Sequence, residues 1–508
     1  MDASDGELWR RLDHWLMKRF GVAVFLILLG LLIFLFLMPL FKAPFDRDQG
    51  TYATIAGGWL QGALPYKDLW DNKGPLLFLW YAVSFLLLGE NTVAPRIAAV
   101  LAAAGCLPFL WDATRRLFGN KQAAITAIIF ALSFANLYLQ VTANGEVFML
   151  LPMTAGFWAF VVGIQKRGHF QFFLAGFFTS LAVFTRQSAI LAFVAYAAWF
   201  ATIWFQRSKE GTNRIIYPVY GLLLGGICGA IPFVIYFAMH GALYDLWYGM
   251  FGFNTAWVSE QSFWLKFVPP MFIEPGPLAG GLVFWIMAAT GCWELWKRKD
   301  KHSIFVLIFL AASEAAAQIM GKGSAHYCIQ LLPGASIAAA FGFPRMLGWW
   351  KNGGVRLKTM LRAAIAINAV AILFIYLMPT TEARFRAQYT FRDYADDAID
   401  APAIAEAVAG ITDPGSCVYE WGRSSQIYFL AKRQPCSRWF YDRPYKSNKS
   451  MISEVIMDLV KRKPGLIIIT GDADENPPPP ELANMMEKEY CYIGSVMYAR
   501  LYRPLIPR

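Results

Sequence analysis

The chain has 508 residues, of which 57% are hydrophobic and 16% aromatic, and its formal net charge is +11. This apolar share is well above that of ordinary soluble domains, so the sequence predicts an integral membrane protein and excludes a soluble enzyme. The positive charge does not indicate a nucleic-acid partner, because the basic residues form short clusters between apolar segments, a pattern that sets membrane topology.

Apolar segments of roughly 17 to 22 residues recur along the chain, and each is long enough to cross a hydrocarbon core of about 30 Å. The basic flank before the first segment and the basic loops farther along predict a cytoplasmic N-terminus. About eleven transmembrane helices then leave the C-terminus outside. We predict these helices at 21–41, 93–113, 121–140, 147–164, 169–185, 189–206, 215–238, 278–296, 303–321, 328–345 and 360–379.

Two further segments indicate structure at the outer membrane face. The apolar run at 75–89 has roughly fifteen residues, or about 22 Å of helix, so we expect a juxtamembrane helix that lies in or dips into the outer leaflet, beginning at Gly74 and Pro75. A short, tilted span is the alternative. The segment 239–277 is rich in Trp, Tyr and Phe, which indicates an aromatic segment at headgroup level.

After residue 383 the composition becomes that of a soluble domain. The stretches SCVYEW and GLIIIT predict buried strands, and SQIYFLAK and MISEVIMDLVKR predict helices with apolar faces. The predicted fold is therefore a polytopic α-helical membrane protein with a C-terminal extracytoplasmic α/β domain. We predict a transmembrane domain at 1–383, with outer-face loops at 42–92 and 239–277, and a periplasmic domain at 384–508.

The cysteines of the C-terminal domain suggest one disulfide. Cys417 and Cys436 begin neighbouring strand-like segments, and an extracytoplasmic compartment permits disulfides. The pair is one alternative and two free thiols are the other, because sequence does not fix the distance between Cα atoms.

Charged residues cluster at the predicted outer face. Asp48 follows the first span at the start of an amphipathic stretch, and Glu146 returns to the same face after two further crossings. Each carboxylate could instead be only a helix N-cap. Between them, LPYKDLWDNKGP brings Lys73, Asp68 and Asp71 to this leaflet. A lysine and several acids at one membrane face suit a reaction between a phosphorylated lipid and a hydroxyl group.

The segment from 46 to 103, beginning DRDQGTYATIAGGWLQG, resembles the N-terminal module of GT-C-fold glycosyltransferases. It is similar to the branch that contains the aminoarabinose transferase of lipid A and the protein mannosyltransferases. The resemblance continues through ANGEVF and extends to GKGSAHYCIQLLPG at 321–334. Two motifs depart from the family pattern: Asp48-Gln49 replaces an Asp-Glu pair, and Lys73-Gly74-Pro75 replaces a Lys-Pro-Pro motif.

The resemblance implies roles for three residues. Asp48 would be the general base on the acceptor hydroxyl, Glu146 would orient the acceptor or support the site, and Lys73 would bind the lipid phosphate. Gln49 leaves fewer acidic ligands beside Asp48, so we predict no cofactor, and a divalent metal is not supported.

Other polar residues are weaker candidates. Cations stabilise the negative charge that develops on a leaving phosphate. A histidine near a membrane face is more often structural than catalytic. The further candidates for binding the donor and its phosphate are Arg186, Lys322, His326 and Tyr327. Arg186 could instead be a solvated loop residue. Candidates for supporting the acceptor site are Asp46, Tyr52, Tyr66, Asp68 and Asp71.

These observations predict an inverting glycosyltransferase at the outer face of a bacterial inner membrane. Its donor would be a polyprenyl-phosphate-linked sugar, and its acceptor a hydroxyl group of a lipid, glycan or polysaccharide of the cell envelope, such as lipopolysaccharide. A lipid-linked oligosaccharide flippase or transporter is one alternative, and an O-antigen-type ligase or polymerase is another. Transporters tend to have repeated halves, and this sequence shows no such repeat.

Overall fold

The computed structural model describes residues 19–166, 168–206, 213–260, 263–319, 321, 323–389, 392–441, 450–470 and 477–505. The chain divides into two compact units. The first unit comprises Met1–Phe41, Arg96–Ile235 and Gln261–Pro379, and the second comprises Lys42–Pro95, Tyr236–Glu260 and Thr380–Arg508.

Helices form most of the described chain. In chain order they are α1 (Arg19–Leu37), α2 (Arg47–Leu60), α3 (Pro75–Leu88), α4 (Ala94–Phe118), α5 (Asn120–Ser133), α6 (Gly145–Lys166), α7 (His169–Thr185), α8 (Leu191–Gln206), α9 (Asn213–Met239), α10 (Leu243–Trp247), α11 (Phe253–Glu260), α12 (Pro270–Ile273), α13 (Gly276–Gly280), α14 (Leu282–Arg298), α15 (Lys301–Gln318), α16 (Leu332–Asn352), α17 (Val355–Tyr376), α18 (Thr381–Gln388), α19 (Arg392–Ile411), α20 (Gln426–Ala431), α21 (Ser450–Arg462) and α22 (Pro480–Glu489).

The first unit contains the predicted membrane spans. Among the described residues, six helical segments are long and apolar enough to cross a membrane: Phe20–Lys42, Ala94–Phe118, Gly145–Lys166, Ile216–Met239, Ala325–Asn352 and Val355–Tyr376. The other predicted spans are also helical but are shorter or less apolar. The chain is therefore a multi-span membrane protein, and the number eleven stays a prediction.

Burial separates the interior of the first unit from its lipid-facing side. Most of α6 and α16 is buried, whereas most of α1, α9 and α17 is exposed although these helices are strongly apolar. The backbones of α14 and α16 are in close contact. A side chain at Gly291 on α14 would overlap the carbonyl group of Ala338 on α16. Small residues at helix crossings are typical of membrane bundles. The packing leaves a dense interior around α6.

The second unit contains a four-stranded sheet with the order β1-β2-β4-β3. The strands are β1 (Val418–Trp421), β2 (Leu466–Ile469), β3 (Tyr490–Val496) and β4 (Ala499–Pro504). β1 and β2 are parallel and fully buried, as their apolar sequences predict, whereas β4 is antiparallel to both β2 and β3. The predicted helices of this domain are α20 and α21. The two antiparallel strands were not predicted, because β3 alternates little and is largely exposed.

The Cys417–Cys436 disulfide is formed, with 5.1 Å between the two Cα atoms. Pairing of Val418 with Pro435 brings the two segments together directly beside the cysteines. This prediction from the sequence is confirmed.

The two compact units group the chain in a different way from the predicted domains, and the domain boundary at residue 383 stays a prediction. The outer-face segments 42–95 and 236–260 cluster with the C-terminal residues, whereas the sequence assigned them to the transmembrane domain. Contacts between aromatic rings explain the grouping, since Phe429 on α20 packs against Phe45 before α2 and Phe85 on α3. α3 has 14 residues and begins after Gly74, as predicted. Its dipping into the outer leaflet stays a prediction.

Candidate active site

Helix α2 begins with a capped N-terminus. The Asp46 carboxylate accepts a hydrogen bond of 2.9 Å from the backbone N–H of Gln49 and a second bond from the Gln49 side-chain amide. Asp46 is almost completely buried. A glutamate at position 49 could not donate the second bond. The structure therefore gives the N-cap role to Asp46, and the alternative that Asp48 is the N-cap is wrong.

Asp48 lies in the first turn of α2, and its side chain is 27% exposed. Its carboxylate is 3.7 Å from the Nε atom of Arg47. The N-terminal end of a helix carries partial positive charge, which stabilises a carboxylate in the first turn. Asp48 is thus a partly exposed carboxylate that is not the helix cap, as a proton acceptor for a substrate requires.

The loop before α3 places Lys73 through an internal hydrogen bond. Tyr66 has a φ of 70°, and its hydroxyl donates a bond of 2.6 Å to the carbonyl oxygen of Lys73. Burial, with a smaller contribution from Asp71, raises the pKa of Tyr66 well above its usual value. The hydroxyl therefore stays protonated and keeps donating this bond. Tyr66 is a structural residue of the loop.

The other acceptor-site candidates of this loop also have structural contacts. Asp68 accepts a bond of 2.7 Å from the backbone N–H of Leu64 and thereby closes a turn. Asp71 is buried and accepts a bond of 2.5 Å from the hydroxyl of Tyr441. Tyr52 on α2 is buried against aromatic rings of α3. A direct contact of any of them with a substrate stays a prediction.

Lys73 lies two residues before the start of α3. Its Nζ atom donates a bond of 3.0 Å to Asn72, whose side-chain amide donates a bond of 2.8 Å to Asn254. Gly74, which lies between Lys73 and α3 in the chain, has no side chain with which to cap the helix. Lysines and helix N-termini both bind phosphate groups. The sequence did not single out the two asparagines, because neutral amides in loops carry no distinctive pattern.

A second polar cluster lies in the first unit, around the start of α6. The buried Glu146 forms an ion pair with the guanidinium group of Arg186. Arg186 also lies over the ring of Tyr327, 4.5 Å from its centroid. His326 places Nε2 3.5 Å from Glu146 and Nδ1 3.2 Å from the side-chain oxygen of Gln140. The structure thus joins four of the predicted residues and adds Gln140.

These contacts correct one reading of the sequence and leave two predictions open. Arg186 is 6% exposed and so is not a solvated loop residue. Its charge is paired with Glu146, a partner that the sequence did not predict because the two residues lie forty positions apart. Lys322 lies outside the described residues. In the described part of the chain, no group of three His, Cys, Asp or Glu side chains could hold a metal ion, and metal independence stays a prediction.

Part of the sequence is similar to known glycosyltransferases. The family model described as dolichyl-phosphate-mannose-protein mannosyltransferase matches residues 72–236. An undecaprenyl phosphate-alpha-4-amino-4-deoxy-L-arabinose arabinosyl transferase from Shewanella sediminis is 26% identical over 231 residues. This match covers 43% of the present chain and 41% of the relative, so it spans less than half of the relative's length.

Solved structures share the fold over most of the chain. The crystal structure of ArnT from Cupriavidus metallidurans bound to undecaprenyl phosphate has a TM-score of 0.57 at 12% identity, covering 96% of this chain and 98% of that chain. The archaeal oligosaccharyltransferase AglB from Archaeoglobus fulgidus, in complex with an inhibitory peptide and a dolichol-phosphate, has a TM-score of 0.52 at 11% identity, covering 91% and 70%. The predicted GT-C fold is confirmed, and so is the resemblance drawn from the motifs.

The Glu146–Arg186 pair generates a prediction about stability. We expect Glu146→Gln to destabilise the protein by about 3–5 kcal/mol, because it leaves a buried guanidinium charge without its carboxylate. The double variant Glu146→Gln, Arg186→Met removes both charges and should recover part of this loss. Thermal unfolding of the detergent-solubilised protein measures both effects.

A matched control is Glu294→Gln, which removes a carboxylate 3.5 Å from Lys297 and 3.7 Å from Arg345, in more exposed ion pairs of the same unit. Exposed pairs contribute about 0–1 kcal/mol. Equal unfolding temperatures for Glu146→Gln and Glu294→Gln would contradict the buried pair.

Proposed function

We propose that this chain is an inverting glycosyltransferase that transfers a sugar from a polyprenyl-phosphate donor to a hydroxyl acceptor. The family match, the arabinosyl transferase relative and the shared fold support this activity. The observation that carries the proposal lies at the start of α2: Asp46 caps the helix, and Asp48 is partly exposed in its first turn.

In the proposed step, Asp48 acts as the general base. Its carboxylate takes the proton of the acceptor hydroxyl while the acceptor oxygen bonds to the anomeric carbon of the sugar. The bond between that carbon and the phosphate oxygen breaks, and polyprenyl phosphate leaves with the electron pair. Attack on the face opposite the phosphate inverts the configuration. The leaving phosphate is already an anion, so the step needs no second acid of the kind that glycosidases use.

Lys73 is the proposed ligand of the donor phosphate. Negative charge grows on the phosphate as its bond to the sugar breaks, and a fixed cation beside it lowers the barrier. The bond from Lys73 to Asn72 and the neighbouring end of α3 support this assignment. Because the similar ArnT structure is bound to undecaprenyl phosphate, a sugar linked to undecaprenyl phosphate is the first donor class to test.

We propose that the cluster around Glu146 orients a substrate, as the family resemblance implies for Glu146. His326 is its most accessible charged or titratable member, with a side chain that is 20% exposed, whereas Glu146 and Arg186 are nearly completely buried. We assign substrate contact to His326 and Tyr327, and assign to Glu146 the positioning of His326 by charge. Arg186 balances the charge of Glu146.

We place the reaction at the periplasmic face of a bacterial inner membrane. In this topology the N-terminus is cytoplasmic and residues 384–508 are periplasmic. The Cys417–Cys436 disulfide supports this placement, because disulfides persist in the periplasm and are rare in the cytosol. The acceptor would then be a lipid, glycan or polysaccharide of the cell envelope.

The role of Asp48 is tested by the isosteric change Asp48→Asn. The purified protein in proteoliposomes receives a radiolabelled undecaprenyl-phosphate sugar and a membrane extract as acceptor. We expect Asp48→Asn to lower kcat by about 10²- to 10⁴-fold, because the amide cannot take the acceptor proton. The control Glu90→Gln neutralises an exposed carboxylate of the same unit and should retain activity. Full transfer by Asp48→Asn would refute the proposed base, and vectorial movement of the intact lipid-linked sugar without transfer would favour a flippase.

The role of Lys73 is tested by comparing two substitutions. We expect Lys73→Gln to raise the KM for the donor and to lower kcat, since the lost charge stabilises the phosphate before and during bond breaking. Lys73→Arg keeps the charge and should recover much of the activity. Lys67→Gln is the matched control, because Lys67 is exposed and donates only a long bond of 3.3 Å to the His240 carbonyl. Wild-type kinetics in Lys73→Gln would contradict the assignment.

A further inference from the structure

The C-terminal residues contact the helix that carries the proposed base. The turn at residues 424–426, here called the Ser425 turn, packs on the first two turns of α2. A Cβ atom at Gly50 would lie only 2.3 Å from the Cα atom and 2.6 Å from the backbone nitrogen of Gln426. These are backbone atoms and cannot rotate away as the end of a side chain can. The contact is therefore tight and leaves no room for a methyl group.

Hydrogen bonds fix the same contact at the residue before Asp48. The Ser425 hydroxyl lies 2.9 Å from the carbonyl oxygen of Arg47 and 2.7 Å from the hydroxyl oxygen of Thr51. Thr51 is also 2.9 Å from the Arg47 carbonyl. The two hydroxyl protons are shared among these three oxygen atoms. Ser425 and Thr51 are both buried, so water does not readily replace these bonds.

The Ser425 turn is itself fixed to the sheet on its other side. The buried carboxylate of Glu420, on β1, accepts a bond of 3.1 Å from the backbone N–H of Ser424 and another from the hydroxyl of Thr470, just after β2. The Ser424 hydroxyl lies 2.8 Å from the hydroxyl of Tyr498, near the start of β4. Polar contacts thus tie Ser424 to the sheet, and its neighbour Ser425 to the backbone at Arg47.

We infer that Ser425 is a positioning residue for catalysis, and that the C-terminal α/β domain sets the location of the Asp48 carboxylate through the first turn of α2. The inference rests on the proposed function, in which Asp48 is the base. Displacement of a reacting group by about 1 Å can cost about 10²-fold in rate. The C-terminal domain is then a part of the catalytic apparatus, and its removal or loosening should lower turnover without removing any group that contacts substrate.

Two variants test this inference, one by removing hydrogen bonds from the contact and the other by adding bulk to it. Ser425→Ala removes the hydroxyl bonds without adding bulk, and Gly50→Ala forces α2 away from the Ser425 turn. Each should lower kcat by about 10- to 100-fold and change the KM for the donor by less than about 3-fold. Thr51→Ser keeps a hydroxyl at the contact and should retain most of the turnover, whereas Thr51→Val should not.

Gly57→Ala is the matched control, since it is the same change in the same helix. A Cβ atom at Gly57 would meet only the end of the exposed Glu90 side chain, at 2.8 Å, which can rotate away. Both alanines raise the helix propensity of α2 to the same degree. Gly57→Ala should therefore keep wild-type kcat.

A second measurement does not depend on activity. Hydrogen–deuterium exchange of the peptide 46–53 should be faster in Ser425→Ala and Gly50→Ala than in wild type and Gly57→Ala. Unchanged exchange would overturn the contact, and faster exchange with wild-type kcat would overturn the catalytic role. Absence of transfer by the wild-type protein, or full transfer by Asp48→Asn, would instead refute the proposed function and with it the catalytic part of the inference, while exchange would still report on the contact.

Discussion

The first turn of any α-helix has backbone N–H groups without intrahelical acceptors, and in α2 the Asp46 carboxylate supplies an acceptor. This one interaction decides what the second carboxylate, two residues later, can do. Because Asp46 occupies the cap position and binds the backbone N–H of Gln49, Asp48 lies in the first turn, in the positive field of the helix, with part of its surface exposed.

The polar cluster around Glu146 follows from a related constraint. An apolar bundle excludes unpaired charges, so a carboxylate buried at the start of α6 requires a cation. Arg186 provides it and is in turn stacked on Tyr327. His326 is the member of this cluster that combines a titratable group with partial exposure. The cluster is therefore better suited to orienting a substrate than to supplying a free cation for a phosphate.

The sequence predicted those features that depend on local pattern. Long apolar segments fix helices, and the stretches around Tyr419 and Ile467 are apolar enough to identify buried strands. The disulfide was one of two alternatives for Cys417 and Cys436, and the structure selects it. The family motifs correctly indicated the fold. Lys73-Gly74-Pro75 and ANGEVF lie within the segment 72–236 that the mannosyltransferase family model matches, whereas Asp48-Gln49 lies before that segment.

Other features depend on contacts between distant residues and could not be predicted. The pairing of Glu146 with Arg186 and the contact of Gly50 with Gln426 join positions far apart in the chain. The grouping of residues 42–95 with the C-terminal domain has the same origin. Capping by Asp46 was not predicted for a different reason, since both residues are aspartates and only backbone geometry shows which one caps the helix.

The most direct test of the account applies the same isosteric change at the two neighbouring carboxylates. Asparagine is as good an N-cap as aspartate and keeps an oxygen for the backbone N–H of Gln49, so Asp46→Asn should keep α2 helical and retain most of the turnover even though the present bond from the Gln49 side chain is lost. Asp48→Asn should keep the unfolding temperature of the wild type and lose transfer. The measurement is kcat for sugar transfer from undecaprenyl phosphate in proteoliposomes, with the unfolding temperature of each variant. Loss of transfer in Asp46→Asn with full transfer in Asp48→Asn would contradict the assignment of the cap and the base.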